Sequence, residues 1–271
     1  MRSVNDGVTI VADDVGVGEA VLLLHGWPDT AALWDEVGAG LVARGARVIT
    51  PDLRGCGRSD KPREVTAYAM GHLVADVLAL LDEAGVESAH VVGHDWGAAL
   101  AWAVATFAPR RVTSLAALAV GHPTAFRAAG LEQQLKSLYT QLFIREGLGE
   151  AFVRQNDYEL LRTWFAHPRA SRVIAELERD DQLRCHLNWY RANLPANAFL
   201  IEPPRLPPVL APTLGVWSSG DRALGEAQMR NSAQYCANGF TFVRLEGYGH
   251  WLPLEAPREI SNEVVTFVTT R

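Results

Sequence analysis

The chain has 271 residues, 48% of them hydrophobic and 21% charged, with a formal net charge of −6. That length holds one large α/β domain, or one domain with a substantial insert. An acidic balance without a basic cluster argues against nucleic acid or an anionic membrane as partner.

The polar start Met1–Asp6 lacks the apolar core of a secretory leader, and no uninterrupted apolar run is long enough to span a bilayer. Cys56, Cys185 and Cys236 lie far apart, without the paired spacing of a zinc site or a disulfide frame. The expectation is a soluble, cytoplasmic protein with reduced thiols.

Short apolar, β-branched runs predict strands at Val8–Val11, Ala20–Leu24, Arg47–Thr50, Ala89–Val92, Ser114–Val120, Thr213–Trp217 and Thr241–Leu245. Several are apolar on both faces, as in a parallel sheet covered by helices on both sides. Between the third and fourth, Met70, Leu73, Val74, Val77 and Leu81 keep helical spacing, and Gly85 supplies a stop. This alternation predicts a mostly parallel, doubly wound α/β sheet.

The alternation breaks at Pro123. Up to Leu210 the pattern is helical, around Gln133–Phe143, Tyr158–Phe165 and Arg172–Arg191, and prolines at 195, 203, 204, 207, 208 and 212 mark the return to strands. The expected organisation is a core domain of residues 1–122 and 211–271 with a helical cap, residues 123–210, inserted between two strands. A cap covers the carboxyl ends of the strands, where ligands bind in such sheets.

Four stretches carry chemistry. Leu22–Asp29, LLLHGWPD, ends an apolar strand in a His-Gly-aromatic-Pro loop, where Pro28 can follow a cis bond. Gly93–Gly97, GHDWG, sits between a strand and a very apolar helix. Small residues at its ends permit a sharp turn, and Asp95 stands where many hydrolases have a nucleophilic serine. An aspartate there can also cap the following helix. Val216–Leu224, VWSSGDRAL, offers Asp221 after a strand, and Gly247–Pro257, GYGHWLPLEAP, offers His250 after the last one. The order nucleophile, acid, histidine suits a base oriented by a carboxylate. After the strand before these, Ala119–Pro123 holds no carboxylate that competes with Asp221.

Together these stretches resemble the α/β-hydrolase superfamily, as does Asp52–Pro62, DLRGCGRSDKP, a loop read as structural. The resemblance implies an α/β-hydrolase fold with an inserted helical cap. It also implies Asp95 as nucleophile, His250 as base and Asp221 as orienting acid. The backbone N–H groups of Trp27 and Trp96 would form an oxyanion hole.

A carboxylate at this turn suits displacement at an sp³ carbon, which leaves an alkyl ester on the enzyme. Within the superfamily, epoxide hydrolases and haloalkane dehalogenases use that logic. An expelled alkoxide needs an acid, and tyrosine, with an ordinary pKa of about 10, supplies it. Ser137–Phe143 and Asn188–Asn193 are similar to cap segments of bacterial epoxide hydrolases that carry two ring-opening tyrosines, here Tyr139 and Tyr190. Leu138 departs from the aromatic often found before the first.

The implied function is epoxide hydrolysis to a vicinal diol, on a small or medium hydrophobic epoxide and water. It needs no metal and no cofactor, and the chain would act as a monomer or homodimer. The alternatives are a haloalkane dehalogenase, with Trp96 and either Trp164 or Trp189 binding halide, and a non-catalytic ligand-binding scaffold. Against the dehalogenase, Trp27 stands where many of those enzymes have asparagine.

Overall fold

The computed structural model describes residues 1–269. The apolar runs form one sheet of eight strands: β1 (Arg2–Asn5), β2 (Val8–Gly16), β3 (Ala20–Leu24), β4 (Arg47–Asp52), β5 (Ala89–His94), β6 (Val112–Leu118), β7 (Thr213–Ser218) and β8 (Phe240–Leu245). They lie in the order β1-β2-β4-β3-β5-β6-β7-β8. β2 is antiparallel to β1 and β4, and every pair from β4 to β8 is parallel. β1 escaped the sequence reading because it lacks an apolar pattern, with Ser3 buried and Val4 exposed.

Before β6 stand α1 (Asp35–Val42), α2 (Met70–Glu83) and α3 (Trp96–Phe107). Between β6 and β7 the chain is helical: α4 (Pro123–Arg127), α5 (Leu131–Lys136), α6 (Thr140–Phe143), α7 (Leu148–Glu159), α8 (Ala170–Leu177) and α9 (Gln182–Asn193). After β7 come α10 (Glu226–Arg230), α11 (Leu252–Glu255) and α12 (Pro257–Thr269).

Two cores follow from the strand period of two. Leu22, Leu24 and Val91 pack with α2 and α3 on one face, whereas Val21, Leu23 and Val92 pack with α1 and α12 on the other. A third cluster joins the helical insert to the top of the sheet through Trp27, Phe143, Leu161, Phe165, Tyr190 and Trp251.

The insert is more broken than its helical pattern predicts. Gln133–Phe143 is two helices with a turn at residues 137–139, and Leu160–Trp164 forms a single π turn. Arg172–Arg191 divides at Asp180 and Asp181, which adopt positive φ of 53° and 61°. Aspartate tolerates that conformation better than most side chains, so the helix ends there. Among the described residues, no helix is long and apolar enough to cross a membrane, and no group of three or more His, Cys, Asp or Glu could hold a metal.

The Asp52–Pro62 loop is held by charge. Arg54 Nε and Nη2 donate to the two oxygens of Asp76 on α2 at 2.7 and 2.6 Å, both side chains being buried. Asp52 accepts from the Ala31 amide at 2.9 Å and from Arg58 Nε at 2.6 Å. The Arg54 carbonyl accepts the Trp189 indole N–H at 3.1 Å, which ties α9 to the sheet. Removing one partner of a buried pair strands the other charge. Asp76→Ala should therefore lower the unfolding free energy by about 3–5 kcal/mol in urea titration. A paired Arg54→Met, Asp76→Leu variant should recover most of that loss.

Candidate active site

β5 stops at His94 and α3 starts at Trp96, so the whole reversal falls on Asp95, at φ 54° and ψ −123°. For a non-glycine residue this is strained by about 1–3 kcal/mol. The flanking glycines are obligatory. A Cβ on Gly93 would lie 2.2 Å from the Gly97 carbonyl oxygen, and one on Gly97 would lie 2.0 Å from that of Leu24. Gly26 is under the same constraint, since a Cβ there would sit 2.4 Å from Asp95 Oδ1.

Asp95 does not cap α3 with its side chain. Its Oδ1 instead accepts the Trp27 backbone N–H at 2.8 Å, and its Oδ2 lies 3.6 Å from His250 Nε2. The loop holding Trp27 carries a cis Trp27–Pro28 bond. His25 props that loop: its Nε2 accepts from the Leu53 amide at 3.0 Å and its Nδ1–H donates to the Gly26 carbonyl at 3.1 Å. The Trp96 amide opens α3, among the N–H groups without an intrahelical acceptor.

His250 Nδ1–H donates to Asp221 Oδ2 at 2.8 Å, and Asp221 Oδ1 accepts the amides of Ala223 and Leu224 at 2.8 and 2.9 Å. Burial by itself lowers the pKa of His250. The charge and hydrogen bond of Asp221, with those of Asp95, outweigh it and raise the value to about 10. For Asp221 burial pulls upward, but His250 and the two amides hold its carboxyl below the ordinary value. The three side chains thus form one buried line, carboxylate to imidazolium to carboxylate.

Some supporting residues escaped the sequence reading. Glu255 accepts the amides of Gly249 and Trp251, at 2.7 and 2.9 Å, and so pins the backbone on both sides of His250. His94 donates from Nε2 to the His250 carbonyl at 2.8 Å, and their rings are 4.7 Å apart. Burial and the neighbouring His250 lower the pKa of His94 to about 4, which keeps it neutral. From α5, Lys136 Nζ donates to the Asp221 carbonyl at 2.6 Å, and Gln133 bonds the Ala223 carbonyl and the Gly225 amide at 3.0 and 2.8 Å. The only signal in sequence was a Glu five residues after the histidine, and a Gln and Lys one turn apart on a helix.

Tyr139 lies in the turn between α5 and α6, and Tyr190 on α9. Both side chains pack against Phe143, with ring centroids 5.1 Å from it. The Tyr190 and Trp96 rings meet edge-on at 5.0 Å. Burial, reinforced for Tyr139 by the Asp95 charge, moves both hydroxyl pKa values upward and keeps them protonated. A cavity of about 290 Å³ is lined by Asp95, Trp96 and Tyr139 together with Val120, Phe126 and Leu224. Tyr190 is not among those lining residues and is buried against Trp27, Trp96 and Phe143. Tyr139 also borders a second, more open cavity of about 370 Å³, with Phe152, Trp164 and Arg222.

Of the tryptophans offered as second halide donors, Trp189 spends its indole N–H on the Arg54 carbonyl, and Trp164 borders the second cavity.

A mainly parallel eight-stranded sheet, with a carboxylate on the strained strand-to-helix turn and a histidine–aspartate pair across from it, defines the hydrolase class of this architecture. The chain belongs to the α/β-hydrolase family, whose model, described as alpha/beta hydrolase fold, matches residues 19–257. It is 31% identical over 263 residues to the AB hydrolase superfamily protein YfhM of Bacillus subtilis, covering 93% of this chain and 90% of that protein. It is 28% identical to an epoxide hydrolase of Caballeronia sordidicola, over 98% of this chain and 92% of that one. A solved structure described as a novel epoxide hydrolase of the same superfamily, from metagenomes of hot environments, superposes with a TM-score of 0.87. It is 27% identical, with 99% of this chain and 97% of that one covered.

The charge line has a measurable signature. Replacing Asp95 by Asn removes one of the carboxylates that hold the imidazolium, so the His250 pKa should fall from about 10. Ring-labelled histidine NMR reads this directly. A folded pKa above the unfolded value of 6.5 gives stability that is complete below pH 6.5 and lost as pH rises through about 10. Unfolding free energy should decline across that window, and the decline should shrink in His250→Asn.

Proposed function

We propose that this chain is an epoxide hydrolase, opening an epoxide to a vicinal diol through a covalent ester on Asp95. Residues 123–210 act as its cap, and the substrate is a hydrophobic epoxide. The observation that carries the reading is a carboxylate at the strained turn, opening on a cavity bordered by a protonated tyrosine that a second tyrosine backs. Relatives whose names state this activity support it over most of the chain's length.

In the first step Asp95 Oδ2, the oxygen not held by the Trp27 amide, attacks a ring carbon. The carbon–oxygen bond of the epoxide breaks, and the departing alkoxide takes a proton from Tyr139. Tyr139 is left as a tyrosinate, stabilised by the neighbouring Tyr190 hydroxyl until it is reprotonated in the next step. Such acid assistance is worth about 10²-fold or more.

Ester formation then removes the charge of Asp95. One of the forces holding the proton on His250 disappears. The imidazolium gives that proton through solvent to the Tyr139 tyrosinate, and the neutral imidazole is then a base. It takes a proton from water, whose oxygen attacks the ester carbonyl carbon. The resulting oxyanion on Oδ1 is met by the Trp27 and Trp96 amides. Collapse expels the diol's second oxygen, which takes the proton from His250. The proton left on the Asp95 carboxylic acid passes to His250, regenerating the carboxylate and the imidazolium.

Replacing His250 by Gln should allow attack but not ester hydrolysis. Intact-protein mass spectrometry after mixing with styrene oxide should show one added substrate mass, absent when Asp95 is also changed to Asn. A His250→Gln protein that binds substrate yet never gains mass sinks the two-step scheme. Tyr139→Phe should slow ester formation on the order of 10²-fold, without slowing hydrolysis of an ester already formed. Tyr190→Phe should act in the same direction. Rapid-mixing measurement of both steps separates the two effects. Unchanged ester formation in the double variant removes the tyrosines from the mechanism.

A further inference from the structure

Only two of the side chains lining the Asp95 cavity carry a charge: Asp95 itself and Arg127 on α4. The cavity follows α3 from its first residue to its last, with Trp96, Ala99, Ala103 and Phe107 on its wall. At 1.5 Å per residue that is roughly 16 Å, much longer than an epoxide ring. The wall is mostly apolar, and several of its other polar side chains are already bonded. Asn193 is satisfied by the Met70 amide and the carbonyls of Tyr68 and Trp189, and Thr106 by the Trp102 carbonyl.

Arg127 differs. It is half-buried, and its Nε donates to the Ala198 carbonyl at 2.8 Å. Its Nη2 donates to the carbonyls of Ile201 and Glu202 at 3.2 and 3.3 Å. The Glu202 carboxylate turns to Arg205 instead, at 3.1 Å. Among the described residues no carboxylate pairs with Arg127, and Nη1 keeps both hydrogens without a protein acceptor. Three carbonyls fix the plane of the guanidinium and leave one edge open, a geometry that suits a carboxylate oxygen.

We propose that Arg127, on the wall of the Asp95 cavity, binds a substrate carboxylate remote from the ring, so that the preferred epoxides are elongated, apolar molecules with an anionic terminus. This rests on the epoxide hydrolase reading. Because the contact is remote from the ring and equal in ground and transition states, it acts on KM and not on kcat.

The test uses the terminal epoxide of undecenoic acid and its methyl ester, which differ only in charge at the remote end. The wild-type protein should show the lower KM for the acid, with an advantage that shrinks in high salt. Arg127→Gln should raise KM for the acid roughly fivefold, an exposed-pair magnitude, and shift the ester less than twofold. Arg127→Lys should keep part of the preference. Equal losses for acid and ester would reduce Arg127 to a clamp on residues 198–202 and overturn the proposal, as would a wild-type protein without preference. If neither epoxide is turned over, the epoxide hydrolase reading is what falls. Calorimetry with unreactive undecanoate and methyl undecanoate on wild type and Arg127→Gln then decides the Arg127 contact. Loss of undecanoate binding alone supports it, and equal affinities refute it.

Discussion

The top of the sheet is organised around one backbone turn. Asp95 holds φ 54° because β5 must reverse into α3 within a single residue. Gly93, Gly97 and Gly26 each lack the one atom that would block that reversal or the carboxylate beside it. The strain is affordable because the turn is clamped on both sides. β5 is hydrogen-bonded between β3 and β6, and α3 is buried almost all round. What results is a carboxylate raised above the strand ends, facing the cavity.

The electrostatics follow from that placement. His250 supplies positive charge beside that carboxylate because Asp221 holds the opposite nitrogen and both aspartates favour the imidazolium. Each member is buried, so each depends on the others more than an exposed group would. The pairing carries its own timing in the proposed reaction, since esterifying Asp95 removes part of what keeps His250 protonated.

The helical insert contributes more than a roof. Gln133 and Lys136 on α5 hold the loop that carries Asp221, and the α5–α6 turn carries Tyr139. His167 Nε2–H donates to Asp29 at 3.1 Å, and the Gly57 amide donates to Gln182 at 2.8 Å, joining the insert to the core loops. The insert therefore contacts the Asp221 loop and carries both tyrosines and part of the cavity wall. The same cavity runs along α3 and has Arg127 on its wall.

Local chemistry made much of this legible in the sequence. Apolar runs on both faces announce a parallel sheet, glycines around Asp95 announce a turn that only glycine permits, and the order of Asp95, Asp221 and His250 announces their possible meeting. Those signals reside in a few adjacent residues and survive without coordinates. What the sequence could not carry is whatever depends on distant backbone. β1 has no apolar pattern and exists by pairing with β2, and the breaks in the insert depend on side chains accepting positive φ. The work of Glu255, Gln133, Lys136 and His94 is to bond loop amides and carbonyls, which any residue supplies and no motif records. The same holds for Arg127, an ordinary surface-type residue in sequence, whose open edge is defined by three carbonyls some seventy positions away. Tertiary structure decided those points because hydrogen-bond partners are chosen by position in space, whereas strand and turn patterns are chosen by neighbours along the chain.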